Sequence, residues 1–408
     1  MTTKDNSDQN KKTALGMRNV IAMGFVSFFT DFSTEMILGV LPLFIITNLG
    51  ASRSILGGIE GSAELISYAS RLVSGSLSDK LGKRKIFVLA GYALSTISKP
   101  FFAVTTGWFD AFIVRAVDRV GKGVRTAPRD ALIADSIPES SSGKAFGIHR
   151  TLDQMGAIVG PIVAFALLQI IGIRGIFLFS LIPGAIGVII LIFVVKEAVA
   201  FKSFSQRTTT VLSNFGNVLK GNQPFVLLLI ISGIFSLGAF NYSFILLKGS
   251  SLGISQNVIP LVYAVINISH TLIGIPSGVL ADRIGKEKVL VIGYAVFVIS
   301  SLLMVLFTAN SFYAYLLAAV FGVYMGISDT LQRAIIPRYI ASELRGTAYG
   351  IYNVVIGSGF FVSNVVFGFL WDQYSLAIAV YYSMAFALAA IIGMIVFIGK
   401  FPVAPASL

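Results

Sequence analysis

The sequence predicts an all-α membrane protein with twelve transmembrane helices in two parallel six-helix repeats and both termini in the cytoplasm. Of its 408 residues, 55% are hydrophobic and 12% are charged, whereas charged residues make up about 25% of an average soluble domain. A sequence block also recurs: Gly75–Lys85 matches Gly278–Lys288, which places Asp79 and Asp282 203 positions apart. A fixed offset of this kind indicates two homologous halves in the same orientation.

The individual helices follow from apolar stretches of about 20 residues, the length that crosses a bilayer, between polar breaks. Six stretches lie in an N-terminal bundle at 19–195 and six in a C-terminal bundle at 223–400. A polar linker at 196–222 separates the bundles, and short tails at 1–18 and 401–408 flank them. The predicted spans are 19–48, 53–77, 86–105, 109–132, 144–170, 174–195, 223–249, 256–280, 288–308, 312–335, 346–370 and 375–399.

The basic residues predict the topology, because Lys and Arg are enriched in cytoplasmic loops. They concentrate after the even-numbered spans, as in Lys80, Lys83, Arg84 and Lys85. We therefore expect a multi-pass protein of the inner (plasma) membrane with cytoplasmic tails. The net charge of +12 is spread over short loops, which argues against nucleic-acid binding. The absence of cysteine excludes disulfides and thiolate metal sites, and two histidines give little support to any metal site.

The repeated block, Gly-x-Leu-x-Asp-x-x-Gly-Lys-Arg in its first copy, resembles the loop signature of the major facilitator superfamily. The resemblance implies a twelve-helix secondary active transporter that works by alternating access, has no enzymatic activity and needs no cofactor beyond a proton gradient. The glycines permit tight turns, and the aspartates can hold a helix end by its dipole. The expected gating residues are Gly75, Asp79, Gly82, Arg84, Asp130, Gly278, Asp282, Arg283 and Gly285.

Two further motifs resemble those of proton-coupled antiporters in this superfamily. Gly156-x-x-x-Gly160-Pro161 looks like the start of their fifth-helix motif, although Ala164 and Phe165 replace its later glycines. Its alternative interpretation is helix packing through small residues with a proline kink. Arg119-Val-Gly-Lys122-Gly resembles their Arg-x-x-Gln-Gly pattern, with Lys122 in place of glutamine.

Charged residues inside the predicted spans are the candidate substrate and proton ligands, because charges in hydrocarbon are costly without a partner or a task. Asp31 and Glu35 share one face of span 1 at i, i+4, and Glu64 lies near the middle of span 2. Span 4 carries cations along two adjacent faces of its helix, and the resemblance implies that spans 1 and 4 line one cavity. We expect Asp31 and Glu35 to approach Arg119 and Lys122, with Arg125 nearby. The alternative is a buried ion-pair network that stiffens the bundle.

The second half lacks this charged set. At the offset of 203, Asp31 corresponds to Ile234 and Arg119 to Gly322. The second half offers instead a neutral polar and aromatic lining that includes Asn267 and Tyr324, which would suit an amphipathic ligand.

The leading functional hypothesis is proton antiport that exports a small amphipathic organic molecule. The alternative is proton-coupled uptake of an organic anion or a metal chelate, such as an iron-siderophore or iron-citrate complex, because a cationic span 4 suits carboxylates or phosphates. A hypothesis of another class is a non-transporting membrane sensor on the same scaffold. The expected partners are a small-molecule substrate, protons and the lipid bilayer, and the protein is expected to be a monomer.

Overall fold

The computed structural model describes residues 3–138, 141–197, 216, 218–220, 222–308, 310–341 and 344–401. The secondary structure of this described part of the chain is helical throughout. Most of the predicted linker at 196–222, and residues 402–408 of the predicted C-terminal tail, lie outside it. The α-helices are α1 Thr3–Leu38, α2 Leu41–Leu43, α3 Arg53–Leu81, α4 Arg84–Ser98, α5 Trp108–Asp135, α6 Ser142–Phe179, α7 Leu181–Phe193, α8 Gln223–Gly238, α9 Tyr242–Ser251, α10 Ile259–Ile284, α11 Lys286–Leu306, α12 Phe312–Ile335, α13 Arg345–Gln373 and α14 Leu376–Lys400.

These helices follow the predicted spans closely, with breaks inside three of them. The first span is interrupted at Gly39–Val40 and ends in a π-helix at Phe44–Asn48, and the third ends in a 3-10 helix at Lys99–Val104. The seventh is interrupted between α8 and α9. Within α6, Gly172 has a positive φ of 67°, which breaks the helix at the predicted loop between spans 5 and 6.

Nine stretches of the described residues are long and apolar enough to cross a membrane. One of them, Ser142–Phe193, covers both the fifth and the sixth predicted span. Helices α3 and α5 are not among the nine, and both carry several of the charged residues discussed above. The protein is therefore a multi-pass membrane protein, while the count of twelve spans and the cytoplasmic position of the termini stay predictions.

The chain divides into two compact units, of which the first contains residues 1–38 and 66–208. Here α1 packs along α6 and α7, and α4 packs along α5. Asn19 ties the predicted cytoplasmic ends together, because its amide nitrogen donates to Ser136 Oγ at 2.9 Å and to the Lys196 carbonyl at 3.1 Å. Its amide oxygen accepts from the Lys196 backbone N–H at 2.9 Å.

The second unit contains residues 39–65 and 209–408, so the outer part of the first two predicted spans packs with the second repeat. The start of α3 lies against α13, where a Cβ on Gly57 would overlap the Asn364 carbonyl oxygen. Asp372 accepts from the Ser54 backbone N–H at 2.9 Å and pairs with Arg53 at 3.1 Å. Asp372 thus caps the N-terminus of α3 from another helix.

The repeated glycines of the loop signature form the expected tight turns. Gly82 has a φ of +63° before α4, and Gly285 has a φ of +101° before α11. L-residues with a Cβ rarely adopt these angles, so glycine is required at both places. The sequence prediction of two equivalent turns is confirmed for these two residues.

An ion pair next to each turn recurs in both halves with its charges exchanged. In the first half, Arg84 Nε lies 3.4 Å from Asp135 Oδ2. At the offset of 203, the same positions hold Glu287 and Arg338, whose side chains approach to 3.3 Å. Tyr339 also donates to Glu287 at 2.6 Å, and burial together with this bond holds the pKa of Tyr339 above its ordinary value. Each pair joins the start of one helix to the end of a neighbouring helix, and the acidic and basic residues can occupy either of the two positions.

The exchanged polarity predicts that the second pair can be reversed. Arg338→Glu places two carboxylates together and should lower stability by on the order of 2 kcal/mol, while the double variant Glu287→Arg/Arg338→Glu should recover most of the loss. Thermal unfolding of the purified protein in detergent measures both. Lys288→Glu, an exposed charge reversal on the same helix, is the control and should change little. A double variant no more stable than the single one would contradict the pairing.

Candidate functional site

Two glycines of the Gly156-x-x-x-Gly160-Pro161 motif set the geometry of the candidate site. A Cβ on Gly156 would overlap the backbone carbonyl oxygen of Phe28, and a Cβ on Gly160 would lie 2.7 Å from that of Phe32. Helix α6 therefore touches the backbone of α1 along this stretch. Close approach through small residues is the packing interpretation of the motif, and it brings Asp153, one turn before Gly156, onto α1.

The site centres on two carboxyl groups, those of Asp31 on α1 and Asp153 on α6. The two side chains are close enough to act electrostatically on each other, and two neighbouring carboxyl groups repel each other unless one of them carries a proton. Asp153 is buried, and the Asp31 side chain is 23% exposed. Arg150 lies 3.5 Å and Arg129 lies 3.9 Å from Asp153. The site therefore brings carboxyl groups from two helices together with two arginines.

Arg125 on α5 is the cation nearest to Asp31, at 3.9 Å from Nη2 to Oδ1. One face of its guanidinium group lies over the ring of Tyr92, 4.4 Å from the centroid. The Tyr92 hydroxyl is 2.9 Å from Ser27 Oγ, which is in turn 2.9 Å from Nε2 of His149. Ser27 and His149, both buried, hold the Tyr92 ring in place, and the ring holds Arg125 through a cation–π contact.

A second charged cluster surrounds Asp118 where α4 crosses α5. Gly91 and Gly121 allow this crossing, since a Cβ on either would press on the other's backbone. Ser95 donates to Asp118 at 2.5 Å. Arg115 and Arg119 approach Asp118 to 3.4 Å and 3.9 Å. Lys99, which is 1% exposed, donates from Nζ to Thr34 Oγ1 at 3.1 Å.

A cation of span 4, Arg125, lies 3.9 Å from Asp31 of span 1, and Arg119 lies 3.9 Å from Asp118, its neighbour on α5. The expected approach of Glu35 to Arg119 and Lys122 stays a prediction. The stripe of α5 that meets α4 holds Gly121 and Arg125, because a Cβ on Gly91 would lie 2.6 Å from the Gly121 carbonyl oxygen and 2.7 Å from Arg125 Cβ. Glu35 and Lys122 are both partly buried and close enough to act electrostatically on Asp31. The i, i+4 spacing on α1 pointed to Glu35 as the carboxyl group next to Asp31, but Asp153 on α6 is also close to it.

The remaining predicted ligands lie in the second unit. Glu64 is partly buried on α3 within residues 39–65. The Asn267 side chain is buried on α10, and its backbone carbonyl accepts from Thr271 at 2.8 Å. Tyr324 packs into an aromatic cluster, with ring centroids 4.8 Å from Phe297 and 5.4 Å from Phe321. His270, also on α10, lies 3.8 Å from Asp329.

The predicted gating residues divide between two places. Arg84 contacts both Asp79 and Asp135, as expected for a charge relay at the predicted cytoplasmic end. Asp130 instead pairs with Arg129 at 2.9 Å and so belongs to the surroundings of Asp153. A Cβ on Gly75 would lie 3.2 Å from that of Ala127, so the two residues face each other closely. Asp282 and Arg283 are exposed at the end of α10, and Gly278 lies one turn earlier.

Sequence reasoning missed the roles of Lys99, Tyr92 and His149, and it did not join Asp153 to Asp31. Lys99 carried a usable signal, because a lysine within an apolar span needs a partner. The spacing of Asp153 from Gly156 was a second signal, since a residue one turn from a contact glycine faces the same neighbour. Among the described residues, no group of three or more His, Cys, Asp or Glu side chains could hold a metal ion.

The sequence model of the Major Facilitator Superfamily matches residues 23–269 and 228–407. The chain belongs to this superfamily. It is 34% identical over 362 residues to the uncharacterized MFS-type transporter MJ1317 of Methanocaldococcus jannaschii, covering 87% of this chain and 88% of that protein. It is 25% identical to the quinolone resistance protein NorA of Staphylococcus aureus, over 92% of this chain and 95% of NorA.

Solved structures show the same fold at low sequence identity. The nucleoside transporter NupG superposes with a TM-score of 0.76 at 14% identity, covering 95% of this chain and all of that chain. A POT family transporter in complex with 5-aminolevulinic acid gives 0.79 at 14% identity, with 94% and 96% covered. The protein is therefore a membrane transporter of the major facilitator superfamily and not an enzyme, and a small-molecule substrate is implied.

The contact of α6 with α1 predicts opposite effects for two glycine substitutions on α6. Gly156→Ala inserts a methyl group into the Phe28 backbone and should cost about 1–3 kcal/mol of stability, with loss of transport. Gly147→Ala meets nothing within 4 Å and should be neutral or stabilising by up to about 1 kcal/mol. Thermal unfolding and vesicle transport measure both. Equal behaviour of the two variants would contradict the packing.

Proposed function

We propose that this protein is a proton-coupled secondary transporter in which Asp31 and Asp153 share the coupling proton. The observation that carries the proposal is the close packing of α6 on α1 at Gly156 and Gly160, which brings these two carboxyl groups of one unit near each other. Two carboxylates at this distance repel each other, so the pair favours the state that holds a proton. Loss of the proton loosens the link between α1 and α6 and strengthens the attraction of Asp31 to Arg125.

Export by antiport is the first form of this proposal. In it, a small amphipathic molecule displaces the proton from the pair, and the proton returns from the other side of the membrane. The likeness to NorA supports this form, since that relative is a quinolone resistance protein. The partial antiporter motif at Gly156, Gly160 and Pro161 supports it as well.

Proton-coupled uptake of an organic anion is the second form. The cations of α5 favour it, because Arg115, Arg119 and Arg125 are all buried on this helix. A bound anion favours protonation of the nearby carboxyl pair, so substrate and proton then move in the same direction. The two forms therefore differ in the direction of proton flow relative to the substrate.

Substrate-driven proton flux in proteoliposomes tests the proposal. The vesicles enclose a pH indicator, and the probes are naphthalenesulfonate and naphthyltrimethylammonium, whose permanent charges prevent them from carrying protons themselves. A probe that drives proton flux against its own movement indicates antiport, and one that drives flux with it indicates cotransport. Protein-free liposomes set the background.

Asp31→Asn and Asp153→Asn should each abolish this flux, because an amide cannot bind and release the proton. The matched control is Asp110→Asn, which alters an exposed carboxylate that accepts from the Thr106 and Gly107 backbone N–H groups in the same unit. It should retain the flux of the wild type. Wild-type flux in Asp31→Asn and Asp153→Asn, or no flux with either probe in the wild type, would contradict the proposal.

A further inference from the structure

Buried positive charge exceeds buried negative charge in the first unit. Apart from Arg84 at the predicted cytoplasmic end, its described residues include four fully buried cations and two fully buried carboxylates. The cations are Lys99, Arg115, Arg119 and Arg125, and the carboxylates are Asp118 and Asp153. A buried charge without a counter-charge is unfavourable, so this arrangement favours a further anion.

The excess positive charge is not spread evenly over these four cations, because most of them already have an acidic neighbour. Arg115 and Arg119 lie on Asp118, and Lys99 is close enough to interact with it electrostatically. Asp153 is contacted by Arg129 and Arg150. Arg125 has only Asp31 within ion-pair distance among the described residues, and at 3.9 Å that contact is longer than a hydrogen bond.

Arg125 also has an unused donor. Its side chain is 4% exposed, and its Nη1 atom is buried with no hydrogen-bond partner among the described residues. The guanidinium carbon lies 4.4 Å from the centroid of the Tyr92 ring, and Nη1 is the donor that a ligand would bind. A planar fork of N–H donors matches the oxygens of a carboxylate, phosphate or sulfonate.

We propose that Arg125 binds an anionic group of the substrate, so that the transported molecule is an organic anion. The inference rests on the proposed function, since it treats Asp31 and Asp153 as the proton site. When the pair holds its proton, Asp31 no longer competes for Arg125, and the anion takes its place. Proton and anion then bind to the same state of the protein, which makes cotransport the form of coupling.

The charged and aromatic groups around Arg125 support the binding of proton and anion to the same state of the protein. Asp31 on α1 and Tyr92 on α4 lie next to Arg125, and Asp153 on α6 lies behind Asp31. Lys99, in the 3-10 helix that follows α4, and Lys122 on α5 add positive charge nearby. Glu35 lies one turn from Asp31 on α1. The carboxylates that can oppose an incoming anion are thus those that take up the proton or lie beside it.

Equilibrium binding to the purified full-length protein tests the inference without a proton gradient. The probes are naphthalenesulfonate and the uncharged naphthalenesulfonamide, which differ in charge at nearly constant shape. The wild type should bind the sulfonate at least about tenfold more tightly, a difference of about 1.4 kcal/mol. Arg125→Gln should reduce that preference to about twofold or less. Arg18→Gln, the same substitution at an exposed position, should leave it unchanged.

Arg125→Lys keeps the positive charge but lacks the fork of donors, so it should show an intermediate preference for the sulfonate. If Arg125→Gln does not fold, this variant provides the test. Asp31→Asn should still bind the sulfonate more tightly than the sulfonamide, but the size of this preference should no longer change with pH. Equal binding of the two probes, no saturable binding of the sulfonate, or a preference that survives in every folded Arg125 variant would overturn the inference. Loss of proton flux alone would instead count against the proposed function.

Discussion

The contact between α1 and α6 is the constraint on which the candidate site depends. Gly156 and Gly160 remove two side chains from the helix surface, and the backbones then meet. This close approach brings Asp31 and Asp153 near each other. Arg125, held against Tyr92, supplies the cation beside Asp31. The partial antiporter-like motif thus lets two helices pack in close contact.

The two halves show which features the fold requires and which belong to the chemistry. Both have a glycine of positive φ before a helix and an ion pair beside it, and the pair works with either polarity. Those features recur because two helix ends must be joined in each repeat. The buried charges of α1, α5 and α6 do not recur, since Asp31 is matched by Ile234 and Arg125 by Ser328. Each charge buried in hydrocarbon costs about 2.5–3.5 kcal/mol on insertion scales, and a cost carried by one half alone points to a specialised task.

Much of the fold could be predicted from the sequence, because apolar length and the repeat offset are properties of the chain itself. Most helix bounds lie within a few residues of the predicted spans, although α1 begins at Thr3 and three spans are interrupted or end in another helix type. The predicted loop near residue 172 falls on a glycine with a positive φ. The site was predicted only in part. Periodicity places Asp31, Glu35, Arg119 and Arg125 on helix faces, but it does not say which face meets which neighbour. The crossing of α4 and α5 at Gly91 and Gly121 places Arg125 against Tyr92 and beside Asp31. The pairing of Asp31 with Asp153 depends on a tertiary contact that helical periodicity alone does not contain.

The shared proton is the central claim, and infrared difference spectroscopy observes it directly. A protonated carboxyl group absorbs in a region separate from that of carboxylates, so titration of the purified protein in lipid shows how many protons the pair binds. We expect one carboxyl band that appears with the uptake of a single proton, is lost in both Asp31→Asn and Asp153→Asn, and persists in Asp110→Asn. A band that survives in either variant of the pair, or two protons bound independently, would contradict the account.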